Sequence, residues 1–241
     1  YSTEATGLTS ANYDELKKKM LKSVYQNGGF YIGKYEAGST ATRTNHSSIS
    51  GIVPKSQANQ YPINWVTCSD AQSLATKVAS GTSKTSSLMF GIQWDLVQKY
   101  IETKLITQGS NLLTAQSLLK TNSTSWGNYQ STLYELTNSN VKYSLNNGAN
   151  WLTTIPFSKT STSDKIFLTT GALTTFAKQN IFDFAGNVWE YTLEYSGNTA
   201  SPCTIRGGAY ESTASENNAN TRTVATTTFS YSSVGFRVSI Y

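Results

Sequence analysis

The sequence predicts a mixed α+β fold with two or three helices and much irregular structure. Three observations lead there. Apolar residues recur at helical spacing three times before Leu105, the stretch from about Thr107 to Lys178 is polar and irregular, and the rest is rich in aromatic and β-branched residues. At 241 residues the chain can bury a full core. With no internal repeat and no linker in view, a single domain over residues 1–241 is expected, residues 1–28 being a helical lead-in.

The elements follow in order. "LTSANYDELKKKMLKSVYQ" reads as an amphipathic helix with Leu16, Met20 and Val24 inward. "GGFYIGKYEAGS" alternates and reads as a strand, and "TATRTNHSSISGIVPKSQANQYP" as a polar loop. "INWVTCSDAQSLATKVAS" begins extended and meets a helix start at Ser69-Asp70. Ala71, Leu74, Ala75 and Val78 share one face of that helix, and Gly81 lies just past its end. "SLMFGIQWDLVQKYIETKL" is a third helix, with Trp94, Val97, Tyr100 and Ile101 at helical spacing. Asn147-Gly148 marks a turn within the long polar stretch, and a loop of such length is either functional or pinned to a core. From Ile181 the texture changes to "NIFDFAGNVWEYTLEY" and then to a tail dominated by Ser, Thr, Asn and Ala.

Charged residues make up only 14% of the chain, so its surface is built from neutral polar side chains. Fifteen tyrosines and five tryptophans suit binding surfaces as well as cores, because they bury apolar area and keep a polar tip. The net charge of +5 is scattered, with one dense group at Lys17, Lys18, Lys19 and Lys22 that reads as a solvated helix face. No lysine follows Lys178, and no nucleic-acid partner is expected. No run of eighteen apolar residues occurs, so no membrane insertion by this domain is expected. The chain starts at Tyr1 with no signal peptide, and a targeting segment is expected to lie outside it.

Catalytic machinery is hard to find. His46 is the one histidine, in a polar loop, so Ser-His-Asp, Cys-His and zinc arrangements lack their parts. P-loop and dinucleotide fingerprints are missing too. Cys68 and Cys203 form either one disulfide, worth up to about 4–5 kcal/mol in the chain-entropy model, or two buried thiols; both readings stand. Asn187 and Glu190 in "DFAGNVWEY" make a candidate calcium site with backbone carbonyls. In the competing reading Asn187 closes a turn, Trp189 fills the core, and Glu190 pairs with an arginine such as Arg206 or Arg237. No other cofactor is expected.

Taken in order, "FYIGKYEAG", "YPINWVTCSDAQSLA", "FGIQWDLVQKYI", "FDFAGNVWEYT" and "RGGAY…GFRV" resemble the landmarks of the formylglycine-generating-enzyme-like (sulfatase-modifying-factor) domain, from about Phe30 to Arg237. The resemblance implies a C-type-lectin-like fold with small antiparallel sheets. It also implies that the interval between Arg206-Gly207-Gly208 and Gly235-Phe236-Arg237 is ordered, with both arginines holding it to the body. The family's copper-binding enzymes carry a close cysteine pair within that interval, whereas residues 209–234 here contain no cysteine. The iron-dependent branch needs a histidine cluster that one histidine cannot supply.

What remains resembles the variable proteins of diversity-generating retroelements, whose final segment is rewritten at template adenines. Mutated AAC-type codons do not yield Lys, Gln, Met, Trp or Glu. Residues 211–233 lack the first four, and only Glu211 and Glu216 depart from the pattern; Ser, Thr, Ala and Asn fill 17 of these 23 positions. The resemblance implies a noncatalytic domain whose residues 206–237 present a diversified face to a protein or glycan ligand on a cell or phage target. Localisation is then extracellular or at a cell or virion surface. Tyr210, Ser212, Thr213, Asn217, Thr221, Thr223, Ala225, Thr226, Phe229, Ser230, Tyr231, Ser232 and Ser233 are expected to form the exposed patch, a composition like that of an antibody paratope. Trp189, Arg206, Gly207, Gly208, Arg222, Gly235, Phe236 and Arg237 are expected as scaffold, together with Asn218 and Asn220. A fixed-specificity lectin-like or structural tip domain, and a degenerate oxidoreductase of the formylglycine-generating type, are the alternatives.

Overall fold

The computed structural model describes residues 6–241, so the first five residues of the expected lead-in lie outside the described residues. Helix α1 runs Ser10–Asn27. The Thr9 side chain accepts from the Asn12 N–H at its start, and Gly28 closes it in the left-handed conformation that a glycine adopts freely. Met20 is buried and Leu16 half-buried, as expected, but Val24 is exposed. The inward position at that turn belongs to Ser23, whose hydroxyl donates to the Gly29 carbonyl at 2.8 Å.

Helix α2, Cys68–Ala75, begins just before the expected Ser69-Asp70 start. Thr67 and Asp70 form a reciprocal capping box there, each side chain accepting from the other's backbone N–H. Val78 falls beyond its end and is half-buried. Helix α3, Gly91–Thr107, buries Trp94, Val97 and Ile101. Tyr100, expected on that face, is exposed, because at about 100° per residue it points roughly 120° away from Trp94. Helix α4, Leu112–Lys120, lies inside the stretch that reads as irregular. Asn111 caps it, and it turns only Ala115 and Leu119 fully inward, too few to mark a periodic face.

The rest of that polar stretch is ordered around its own core of Leu136, Val141, Tyr143, Ile166, Leu168 and Phe176. Two short antiparallel pairs frame it, Tyr134–Leu136 with Phe157–Lys159 and Tyr143–Ser144 with Phe167–Leu168. The expected strand "GGFYIGKYEAGS" splits into Tyr31–Ile32 and Gly38–Ser39, which join different sheets.

The largest sheet positions the candidate site. It has four strands in the order Arg222–Ala225, Cys203–Arg206, Trp189–Thr192, Val234–Phe236. The first three pair antiparallel, and Val234–Phe236 lies parallel to Trp189–Thr192. After Arg237 the chain enters a second sheet, with Val238–Ile240 between Tyr31–Ile32 and Ser86–Leu88. The C-terminal strand therefore ties both sheets together. Leu74, Val66, Tyr191, Phe236 and Cys203 pack with α1 and α2 into one core, while Trp94, Trp126, Tyr129 and Phe184 form a second beneath α3.

Candidate ligand-binding face

The segment between the two glycine landmarks is anchored from below by charge pairs. Arg237 is fully buried. Its Nη2 and Nε donate to Glu190 Oε1 at 2.7 and 3.1 Å, Nη1 donates to the Gly33 carbonyl at 2.9 Å, and Nη2 reaches the carbonyls of Phe182 and Asp183 at 2.8 and 3.0 Å. Two more carboxylates lie nearby. Glu36 accepts from Asn187 Nδ2 at 2.7 Å and from the Val188 N–H at 3.1 Å, and Asp183 accepts from the Gly171 N–H at 3.2 Å. One guanidinium thus faces three buried acids. Burial pushes the Asp183 carboxyl up to about 7, Arg237 opposing and the Glu190 charge adding. Burial also raises Glu190, and lifts Glu36 well above the usual range with help from Asp183 and Glu190.

This arrangement corrects the candidate calcium site. The Glu190 carboxylate is occupied by the Arg237 guanidinium, and Asn187 Oδ1 accepts from Asn128 Nδ2 at 3.1 Å and the Leu168 N–H at 3.3 Å. The oxygens that would face a cation already have protein donors, so this pair does not fit one. Asn187 instead takes a left-handed backbone (φ 58°) that closes the turn. Trp189, expected as core scaffold, is half-buried against the main core.

At the other anchor, the Arg206 guanidinium pairs with Asp95, meets Glu194 Oε2 at 3.5 Å and lies 5.8 Å from the Trp94 ring centroid. Gly208 has φ 77°, and a Cβ there would sit 2.3 Å from the Asn217 carbonyl oxygen. Gly207, also left-handed, passes its carbonyl to the Tyr129 hydroxyl at 2.7 Å. A Cβ on Gly235 would meet the Ile63 carbonyl at 2.8 Å, and Phe236 is fully buried. Arg222 is exposed and pairs with Glu194. Asn218 is buried and donates to the Lys120 carbonyl at 2.9 Å, whereas Asn220 is exposed.

Between these anchors the expected patch divides, and four of its members are corrected. Tyr210 is completely buried: its ring stacks on Phe167 with centroids 4.8 Å apart, and its hydroxyl meets Asn147 Oδ1 at 2.9 Å and Ser232 Oγ at 3.1 Å. Ser232 and Ser233 are buried beside it, Ser233 donating to Glu211 Oε1 at 2.6 Å, and Ala225 faces the core from its strand. These four build the segment's support. Exposed or half-exposed are Ser212, Thr213, Asn217, Thr221, Thr223, Thr226, Phe229, Ser230 and Tyr231.

Sequence reasoning missed Trp65 as part of this face. Its ring stacks on Tyr231 at 5.8 Å, and Tyr231 stacks in turn on Phe229 at 5.4 Å, giving a three-ring ladder at the surface. Tyr231 keeps 53% of its surface exposed. The ladder is held by its backbone: the Trp65 N–H donates to the Tyr231 carbonyl at 3.0 Å, and the Tyr191 hydroxyl to the Phe229 carbonyl at 2.6 Å. Trp65 has φ 52°, an unusual conformation for a bulky residue. Arg43 braces it, donating to the carbonyls of Asn64 at 2.8 Å and Trp65 at 3.0 Å. His46 pairs with Asp70 at 2.9 Å. The signal for Trp65 was only an aromatic in "INWV"; nothing local announces a partner some 166 positions onward.

The chain matches the model of the sulfatase-modifying factor enzyme 1-like domain over residues 6–240, and it belongs to that family. The α+β architecture with small sheets agrees with that membership. No curated protein sequence matches it. Among solved structures it is similar to Treponema denticola variable protein 1, at 14% identity and a TM-score of 0.49, with 87% of this chain and 84% of that one covered. PvdO from Pseudomonas aeruginosa is similar at 13% identity and a TM-score of 0.46, covering 88% and 80% of the two chains. CarF is similar at 17% identity and a TM-score of 0.40, covering 96% and 82%.

Proposed function

We propose that the chain is a noncatalytic ligand-binding domain that presents the exposed part of residues 211–231, with Trp65, to a protein or glycan on a cell or phage target. The supporting observation is the Trp65–Tyr231–Phe229 ladder, rigidly seated among hydroxyl-bearing side chains. Rigid aromatic rings give contact area at little entropic cost, and small polar neighbours adapt to the ligand. The cysteine pair on which the family's copper enzymes depend has no counterpart in residues 209–234, and Cys68 and Cys203 both lie in the core. The codon-like composition of residues 211–233 supports diversification by a retroelement, and a surface location follows from that role.

The test is sequencing of the source population across residues 206–237. Under this reading substitutions concentrate at surface positions such as Thr213, Asn217, Thr226 and Tyr231, while Arg206, Tyr210 and Gly235-Phe236-Arg237 stay fixed. Variation spread evenly along the gene refutes diversification. Ligand binding is then tested separately, by loss of target-cell capture in the Tyr231→Ala variant.

A further inference from the structure

We propose that the strand Arg222–Ala225 is a main-chain docking edge, to which an extended segment of a protein ligand adds as a fifth strand of the largest sheet. This rests on the ligand-binding reading and narrows the ligand to a polypeptide. Arg222–Ala225 is the end strand of its sheet, and it pairs on one side only, with Cys203–Arg206. Bonded pairs alternate along an antiparallel ladder. The Gly207 N–H donates to the Thr221 carbonyl at 3.3 Å, one step past the Arg206–Arg222 pair. Thr221, Thr223 and Ala225 therefore turn their main-chain groups toward the sheet, and Arg222 and Val224 turn theirs outward. The neighbouring ladders keep the same phase. The Trp189 N–H donates to the Ser233 carbonyl, which leaves Glu190 and Thr192 to bond Arg206 and Thr204, and Ile205 to face Thr223. The outward groups of Arg222 and Val224 stand about 7 Å apart, the repeat of an extended chain. Among the described residues no other strand pairs on that side.

Natural sheet edges are guarded by a bulge, a proline or a lysine. This strand pairs in unbroken register and holds neither proline nor lysine. Its one charged side chain is drawn away, because Arg222 pairs with Glu194 and its Nη2 donates to the Tyr195 carbonyl at 2.7 Å. Val224 stays 45% exposed and offers a cross-strand contact to a β-branched or aromatic residue of the ligand. From Ala225 the chain reaches Phe229 of the aromatic ladder in four residues, so the edge is continuous in sequence with the proposed face. An extended peptide carries the alternating N–H and C=O row that this edge matches, and a glycan does not. A second copy paired here alone would gain only a four-residue edge, short of the area a stable dimer needs. Main-chain recognition also survives side-chain replacement, so the edge keeps a ligand in register while the residues around it change.

The experiment pans a phage-displayed library of linear random peptides on the immobilised full chain. Amide hydrogen exchange of the chain is then followed by NMR with and without the selected peptides. The Arg222 and Val224 amides should exchange about tenfold more slowly, or slower still, when peptide is bound. Val224→Pro removes an outward N–H and spares the ladder with Cys203–Arg206, a change that edge strands tolerate. It should weaken the selected peptides about tenfold, and it should lower the urea midpoint less than Thr223→Pro, which breaks a ladder bond. Peptides that bind but leave both amides unprotected overturn the proposal, as does a library that yields no binder. A concentration-dependent dimer in sedimentation that Val224→Pro abolishes overturns it too, giving the edge to a second copy. The exchange readout uses the wild-type chain and does not depend on a variant folding. Target-cell capture lost in Tyr231→Ala but kept in Val224→Pro sinks the docking edge alone; protected amides in a chain that captures no target cell support the edge and sink the ligand-binding reading.

Discussion

Replacing Arg237 with methionine gives a sharp test of the buried anchor. The variant removes the counter-charge of Glu190 and strips hydrogen-bond donors from the carbonyls of Gly33, Phe182 and Asp183. Breaking a buried ion pair from one side costs about 3–5 kcal/mol, because the remaining charge stays desolvated. Glu36 and Asp183 sit in the same cluster, so Glu190 loses its partner among other acids. For a chain of this length each kcal/mol moves Tm by about 2–4 °C, so the expected drop is about 6–20 °C. Differential scanning calorimetry or a urea titration reads it. The double variant Arg237→Met/Glu190→Met should be more stable than Arg237→Met alone, since it removes the stranded carboxylate. A loss below about 1 kcal/mol for Arg237→Met, or a double variant no better than the single one, would refute the account.

Other consequences can be measured in the same way. Asp183 has a folded-state pKa of about 7, above the ~3.9 of an unfolded aspartate, so from about pH 4 to about 7 the folded state holds the extra proton. Its contribution to stability is therefore full at acid pH and is lost as pH rises through 7. Asp183→Asn should flatten that part of the stability–pH curve relative to wild type, and unchanged slopes would count against it. Tyr210→Ala should cost about 3–5 kcal/mol through loss of a buried ring, while Tyr231→Ala should cost under about 1.5 kcal/mol and act on binding instead; equal urea midpoints for the two would contradict the division into support and face. Gly208→Ala should destabilise by about 2 kcal/mol or more, because a left-handed backbone and a carbonyl 2.3 Å from the new Cβ both oppose it; thermal melts check this.

The sequence by itself determined a good deal. Periodicity placed the apolar faces of α2 and α3, and the Gly207-Gly208 and Gly235 landmarks, taken in order with the others, pointed to the family. The helical signals are local, resting on spacing within a few residues, whereas what a Cβ on Gly208 or Gly235 would meet, the carbonyls of Asn217 and Ile63, is set by the folded chain. The missed α4 turns only Ala115 and Leu119 fully inward, so its periodicity was faint. Tertiary structure decided what each residue of the Ser- and Thr-rich tail does. Tyr210 and Tyr231 are chemically the same and only 21 positions apart, yet one is a buried pillar against Phe167 and the other stands in a surface ladder with Trp65. Likewise, Glu190 chose Arg237 and not Arg206 because the parallel strand Val234–Phe236 lies beside Trp189–Thr192 and leads straight into Arg237. The partners of Tyr210, Tyr231 and Glu190 come from distant parts of the chain, and burial follows from that packing, which no local pattern encodes.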